Sequence, residues 1–253
     1  MTLSAAIRSL TRPARRTLAE RIFPGIGAGA AWDHAAAQRY ELESARNTIF
    51  QSFARVYAEW ESYGPALSFG VGDQWFRGNA SLYAAFRDGI EDRAALEIGS
   101  GPFGHLAPCK AFKRRIIIDP LALAYRDMQQ AEFGKTFFTP DIELHATAAE
   151  VRIPELAGAI DGLIVSRNAI DHCDDPLAVL GTIAEYAAPG CWFFLWTDIW
   201  HLAGLDAGHR NITRSASVMQ ALIEGLGFEV IQRGATIRNP AEYIEFGCIA
   251  RKQ

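Results

Sequence analysis

The sequence is poor in lysine and shows no excess of positive charge. Lysine occurs only at positions 110, 113, 135 and 252, and 29 acidic residues against 25 basic ones leave a formal charge of −4. Nucleic-acid binders carry a basic balance or a basic stripe, so a nucleic-acid partner is not expected. No run of about 20 apolar residues is present, so no segment reads as a membrane span. The N-terminus has no long apolar stretch leading to a small-residue cleavage site, so it does not read as a secretory signal. Cysteine is also scarce. Cys109, Cys173, Cys191 and Cys248 lie far apart and form no CxxC pair, a spacing that suits neither a disulfide framework nor a zinc site. Reduced thiols in a cytoplasmic protein are the expectation.

Apolar residues are not lacking. They make up 49% of 253 residues, enough for one sizeable core with an added lid or arm. Arg8, Arg12, Arg15, Arg16 and Arg21 form a basic arm, and a Gly-rich run at 24–31 reads as a linker. No apolar strand precedes that run and no Lys-Ser/Thr follows it, so it is not a phosphate loop. Residues 1–34 are thus read as arm and linker. Leu42, Ile49, Phe53, Val56 and Trp60 recur at helical spacing in a Pro- and Gly-free stretch. A second short helix is expected over 80–88. Together, residues 35–90 are expected to form a helical cap over a ligand mouth.

From residue 94 short apolar runs alternate with helical segments. Strands are expected at 94–98, 115–119, 142–146, 162–166, 191–196, 228–232 and 244–250, and helices at 103–113, 121–132, 176–187 and 215–226. The crossover at 148–160 is too short and Pro-broken for a helix. This alternation predicts an α/β fold, a parallel sheet with helices on both faces, over residues 91–253. The last two strands suit a hairpin.

The main chemical signal is Leu96-Glu97-Ile98-Gly99-Ser100-Gly101-Pro102-Phe103-Gly104. Glycines at the end of an apolar strand let backbone approach a ligand, and a following helix would offer free N–H groups. Asp119 lies at the end of the second strand, where a carboxylate can accept ribose hydroxyls. Dinucleotide sites share that layout. Glu97 separates the two readings: a carboxylate just before the first glycine would repel a pyrophosphate and suit a ligand bearing positive charge.

These residues resemble the class I methyltransferases, particularly the broad group acting on small molecules. Glu97-Ile98-Gly99-Ser100-Gly101 matches that family's first motif and Asp119 its acidic second motif. Ala149-Glu150 with Ile153-Pro154 looks like its adenine-side motif, and Asp161 through His172 like its fourth strand and functional tip. Ala188-Pro189-Gly190 and Gly227-Phe228-Glu229-Val230 resemble the entries to its fifth and sixth strands. The resemblance covers about residues 90–250. It implies a Rossmann-like sheet and S-adenosylmethionine as cofactor. It further implies that Gly99 and Gly101 face the methionyl part, Glu97 helps hold its amino group, and Asp119 takes the ribose hydroxyls. Ala149 and Glu150 would border the adenine, and Asn168 would sit beside the cofactor. Ala148 stands where an adenine-contacting Asp is common. The Asn/Asp-Pro-Pro-aromatic tetrad of many nucleic-acid and glutamine amino-methyltransferases is absent, so a small-molecule substrate is expected.

Simpler readings stand beside these. Glu97 could pair an arginine, and Asp119 before Pro120 could cap the next helix. Asp171-His172-Cys173-Asp174-Asp175 invites a metal, but Asp175-Pro176 reads as an N-cap with Pro at N1 and no second ligand cluster is evident, so no metal is expected. A hydroxyl acceptor must lose a proton, and histidine suits that task. His172 at the fourth strand tip and His209 in a loop expected at 197–213 are the candidate bases. His172 reads equally as a structural hydrogen-bonding group. His201 and Asp198 share that loop. Trp196 and Trp200 could line a substrate pocket, whereas Trp192, Phe193 and Phe194 read as core. The rival readings are a nicotinamide-dependent oxidoreductase and a non-catalytic interaction module.

Overall fold

The computed structural model describes residues 34–63, 69–70, 75–201, 211–239 and 243–253. The basic arm, the Gly-rich run and His209 lie outside the described residues.

Seven strands form one sheet, β1 (Ala94–Ile98), β2 (Arg114–Ile118), β3 (Ile142–His145), β4 (Leu163–Arg167), β5 (Trp192–His201), β6 (Phe228–Asn239) and β7 (Tyr243–Lys252). The order across the sheet is β3-β2-β1-β4-β5-β7-β6. β1 through β5 run parallel, and β7 lies antiparallel between β5 and β6. The order reverses at β1 and β4, which leaves a crevice at their carboxyl ends, the place where open α/β sheets bind ligands.

Helices cover both faces. Those of the first face are α1 (His34–Tyr63), α2 (Ala80–Asp88) and α3 (Ala122–Phe133); α4 (Pro176–Tyr186) and α5 (Ala216–Gly225) cover the other. Alternate side chains of each strand feed the two cores. Leu96, Ile98, Ile116, Ile118 and Ile164 pack under α4 and α5, and Ala95, Leu163, Val165 and Phe194 pack under α2. Because both faces are covered, the central strands are mostly apolar, with Glu97 in β1, Arg115 in β2 and Ser166 in β4 as buried polar exceptions. Asp175 caps α4, its side chain accepting the Ala178 N–H at 3.0 Å ahead of Pro176.

α1 docks on the β2–α3 side of the sheet through Ala45, Ile49 and Phe53, which pack with Ile117, Tyr125 and Phe137. The Phe53 ring lies parallel to Phe133 at 4.2 Å. α2 packs elsewhere, with Phe86 against Trp192 and Phe194.

Two expectations are corrected. Residues 103–113 form successive turns, not a helix. Pro108 interrupts the segment, and the His105 and Leu106 N–H groups are held by the Glu97 side chain instead of being free to open a helical ladder. The fifth strand does not end at 196. It continues through His201, so Asp198 is a buried strand residue in register with Glu245 rather than part of a loop. The final pair is a hairpin as expected, with both strands longer than the apolar runs that announced them.

Candidate active site

The site begins where β1 ends. Gly99, Gly101 and Gly104 all take positive φ, at 69°, 56° and 64°, a region that favours glycine. At Gly99 space demands glycine as well: a Cβ there would lie 2.2 Å from the Ala169 Cβ at the β4 tip. At Gly101 a Cβ would meet nothing within 4 Å, because that side of the turn opens on the cleft.

Five of the N–H groups between Gly99 and Leu106 are already used within the protein. Gly99 N–H donates to the Ile118 carbonyl at 2.9 Å and Gly104 N–H to the Ser100 carbonyl at 3.1 Å. Gly101 N–H donates to Asp119 Oδ2 at 3.0 Å. His105 N–H (2.8 Å to Oε1) and Leu106 N–H (2.9 Å to Oε2) donate to the Glu97 carboxylate. With no helix following, the turn offers neither these N–H groups nor a helix dipole to an anion.

Both carboxylates are buried. Burial pushes Glu97 up to about 7, outweighing the backbone hydrogen bonds that favour its charge. Burial likewise raises Asp119 to about 6, against the Leu121 and Gly101 N–H groups. Asp119 is not the N-cap of α3, a position held by Leu121, yet its carboxylate ties that helix start to the glycine turn. Oδ1 accepts the Leu121 N–H at 2.8 Å just ahead of α3, while Oδ2 braces the glycine turn.

A cleft of about 130 Å³ brings Gly99, Gly101, Asp119, Ala149, Glu150, Asn168 and His172 together. Glu97 does not line it. Asn168 sits in the left-handed region at φ 47° and donates its N–H to the Trp196 carbonyl, a conformation asparagine tolerates. Glu150 Oε1 accepts the N–H groups of Asp174 at 2.7 Å and Asp175 at 3.1 Å, tying the cleft wall to the segment after His172.

His172 lies between two carboxylates. Its Nδ1 is 3.2 Å from Glu41 Oε1 and its Nε2 is 3.5 Å from Asp171 Oδ2. Asp171 is fully buried and accepts a hydrogen bond from Thr197 Oγ1 at 2.9 Å. The sequence did not point to Glu41. With Gln38 it brings the start of α1 into the cleft wall, and in sequence both look like ordinary polar positions on a surface helix. Tyr125 and Cys173 also line the cleft unannounced. Trp192, Phe193 and Phe194 are core. Trp196 is partly exposed, and Trp200 is largely buried beneath the Arg214 guanidinium, 3.8 Å from its ring. Among the described residues no group of three His, Cys, Asp or Glu side chains is placed to hold a metal, and no helix is long and apolar enough to cross a membrane.

No family model and no curated protein matches the sequence. Solved structures do match. The structure of the [4+2]-cyclase SpnF superimposes with a TM-score of 0.55 at 13% identity, over 90% of this chain and 98% of that one. A Galdieria sulphuraria protein provisionally described as a sarcosine dimethylglycine methyltransferase gives 0.52 at 13%, over 69% and 82%. A Listeria monocytogenes protein, provisionally described as an S-adenosylmethionine-dependent methyltransferase, gives 0.50 at 12%, over 69% and 99%. The fold is that of the class I methyltransferases. At these identities the likeness fixes architecture and leaves the chemistry to the site.

Proposed function

We propose that this chain transfers a methyl group from S-adenosylmethionine to a hydroxyl of a small molecule, a sugar or secondary metabolite. The observation that carries the reading is the glycine turn, most of whose N–H groups are satisfied within the protein. The rival dinucleotide needs free N–H groups for its pyrophosphate, and here five of the turn's N–H groups are spent internally beside two buried carboxylates. A ligand with ammonium and sulfonium charges suits such surroundings. Gly101 also leaves room on the cleft side, where a side chain would intrude.

In this reading Gly99 and Gly101 border the methionyl part and Asp119, fixed by two backbone donors, takes the ribose hydroxyls. Ala149 and Glu150 flank the adenine and Asn168 stands beside the cofactor. Glu97, turned away from the cleft, acts by holding the turn. Bound S-adenosylmethionine supplies a methyl group already activated for in-line displacement. What the protein adds is alignment and exclusion of water. His172 accepts the hydroxyl proton, with Asp171 orienting the ring and stabilising the imidazolium. Its Nδ1 reaches the acceptor once Glu41 yields. The start of α1 thus serves as the cap.

The test is production of S-adenosylhomocysteine from S-adenosylmethionine over a library of hydroxylated small molecules. His172→Ala is expected to lower kcat by roughly 10²–10⁴-fold and to remove the acid limb of the pH–rate profile. A His172→Ala enzyme with the wild-type rate and acid limb would exclude this base.

A further inference from the structure

One cation at the carboxyl edge of the sheet is left unused by the cofactor cleft. Arg167 closes β4, one residue before the cleft-lining Asn168, and it is exposed. Among the described residues it has no carboxylate within ion-pair distance. The negative group whose field it feels, Glu97, is buried with both oxygens engaged by backbone N–H groups. Its one polar contact there is Nη1 to His105 Nε2, at 3.4 Å.

That contact fixes direction without satisfying charge. The His105 backbone is pinned to Glu97, and its ring lies roughly parallel to Phe69 at 6.1 Å. Burial, with the charge of Arg167 adding to it, pushes His105 down to about 4, so the ring stays neutral and can accept only one hydrogen bond. Across the sheet, in register with Arg167, stands Trp196. Its ring fills the space above Gly247, where a Cβ would come within 2.4 Å of it, and Arg77 lies over it at 5.6 Å. The guanidinium is thus held by a neutral partner, with Trp196 beside it on the neighbouring strand and Phe69 stacked on that partner, and keeps most of its planar N–H fork for another group.

We infer that Arg167 anchors an acidic group, carboxylate or phosphate, on the acceptor molecule, with Trp196 and Phe69 bordering its body. The inference rests on the methyl-transfer reading and narrows its substrate to an anion. A solvated surface arginine would be held by nothing in particular; this one is held by His105 at the end of β4, one residue from the cleft-lining Asn168.

The experiment is titration of the full-length protein, with S-adenosylhomocysteine present, by benzoate, phenyl phosphate and neutral benzamide, followed by protein NMR shifts. Benzoate or phenyl phosphate is expected to bind and benzamide not, and the stronger of the two names the acid. Arg167→Gln is expected to weaken anion binding at least tenfold, and Arg167→Lys, which keeps charge but loses the fork, to fall between. Equal anion binding by the Gln variant and the wild type, no anion binding at all, or benzamide binding as well as benzoate overturns the inference. If the Gln variant proves unstable, the Lys variant carries the same comparison. S-adenosylhomocysteine is titrated separately into wild type and variants. Its failure to bind wild type would sink the methyl-transfer reading, whereas its retention with loss of specific anion binding sinks only the role of Arg167.

Discussion

At the scale of single residues, glycine is present at two neighbouring positions for different reasons. Gly99 must avoid Ala169, and Gly101 must leave the cleft open. Gly99→Ala is therefore expected to destabilise the fold by roughly 2–4 kcal/mol, combining left-handed strain with a backbone shift. Gly101→Ala should cost only about 1–2 kcal/mol, the strain alone, yet impair S-adenosylhomocysteine binding more than stability. Paired urea titrations and ligand titrations of the two variants check this split. Glu97 gives a pH signature. Its folded pKa, about 7, lies above its ordinary 4.5, so its contribution to stability is complete below about 4.5 and is lost as pH rises through 7. Going from acid to neutral pH, that loss is roughly 3 kcal/mol. Glu97→Gln should flatten the decline in Tm between pH 5 and 7, as read by thermal melts; an unchanged slope would clear Glu97 of the effect.

Elements were legible in proportion to how local their causes are. β1, β2 and β4 announce themselves as short runs rich in apolar residues, since burial on both faces leaves little polar alternation to blur them, whereas the edge strand β3, Ile-Glu-Leu-His, does alternate. The outer half of β6 carries Arg233, Thr236 and Arg238, so only its apolar start stood out. Residues 103–113 looked helical because the reason they are not, the reach of Glu97 to His105 and Leu106, is a side-chain contact no periodicity reveals. The same holds for the site. Gly99, Gly101, Asp119 and Asn168 sit at strand ends, where sequence alone indicates position. Glu41 and Gln38 lie more than fifty residues before β1, so only the docking of α1 brings them to the cleft. That docking rests on Phe53, buried against Phe133 and Phe137. Phe53→Ala is expected to cost about 3–5 kcal/mol. It should also raise hydrogen exchange along α1 and weaken S-adenosylhomocysteine binding. Full ligand affinity in a variant with a loosened α1 would show that the helix has no part in the cleft.

At the scale of the whole molecule, one sheet supports two kinds of surface at its carboxyl edge. The ends of β1, β2 and β4 form a cleft bordered by the glycine turn and buried Asp119, with Glu41 and Glu150 in its wall. Next to it, at the end of β4, Arg167 with His105 and Trp196 presents a cation beside aromatic rings. In the proposed reading the first takes a positively charged cofactor and the second an anionic acceptor, and Asn168, which lines the cleft, adjoins Arg167 in the chain. The reading stands or falls on which nucleotide ligand the cleft accepts. Isothermal titration of the full-length protein with S-adenosylhomocysteine, and separately with NAD, decides it. The expected result is one-to-one binding of S-adenosylhomocysteine, weakened by Asp119→Ala by roughly 1.5–3 kcal/mol through loss of charge-assisted hydrogen bonds, and no heat from NAD. Binding of NAD in preference to S-adenosylhomocysteine, or of neither, would contradict it.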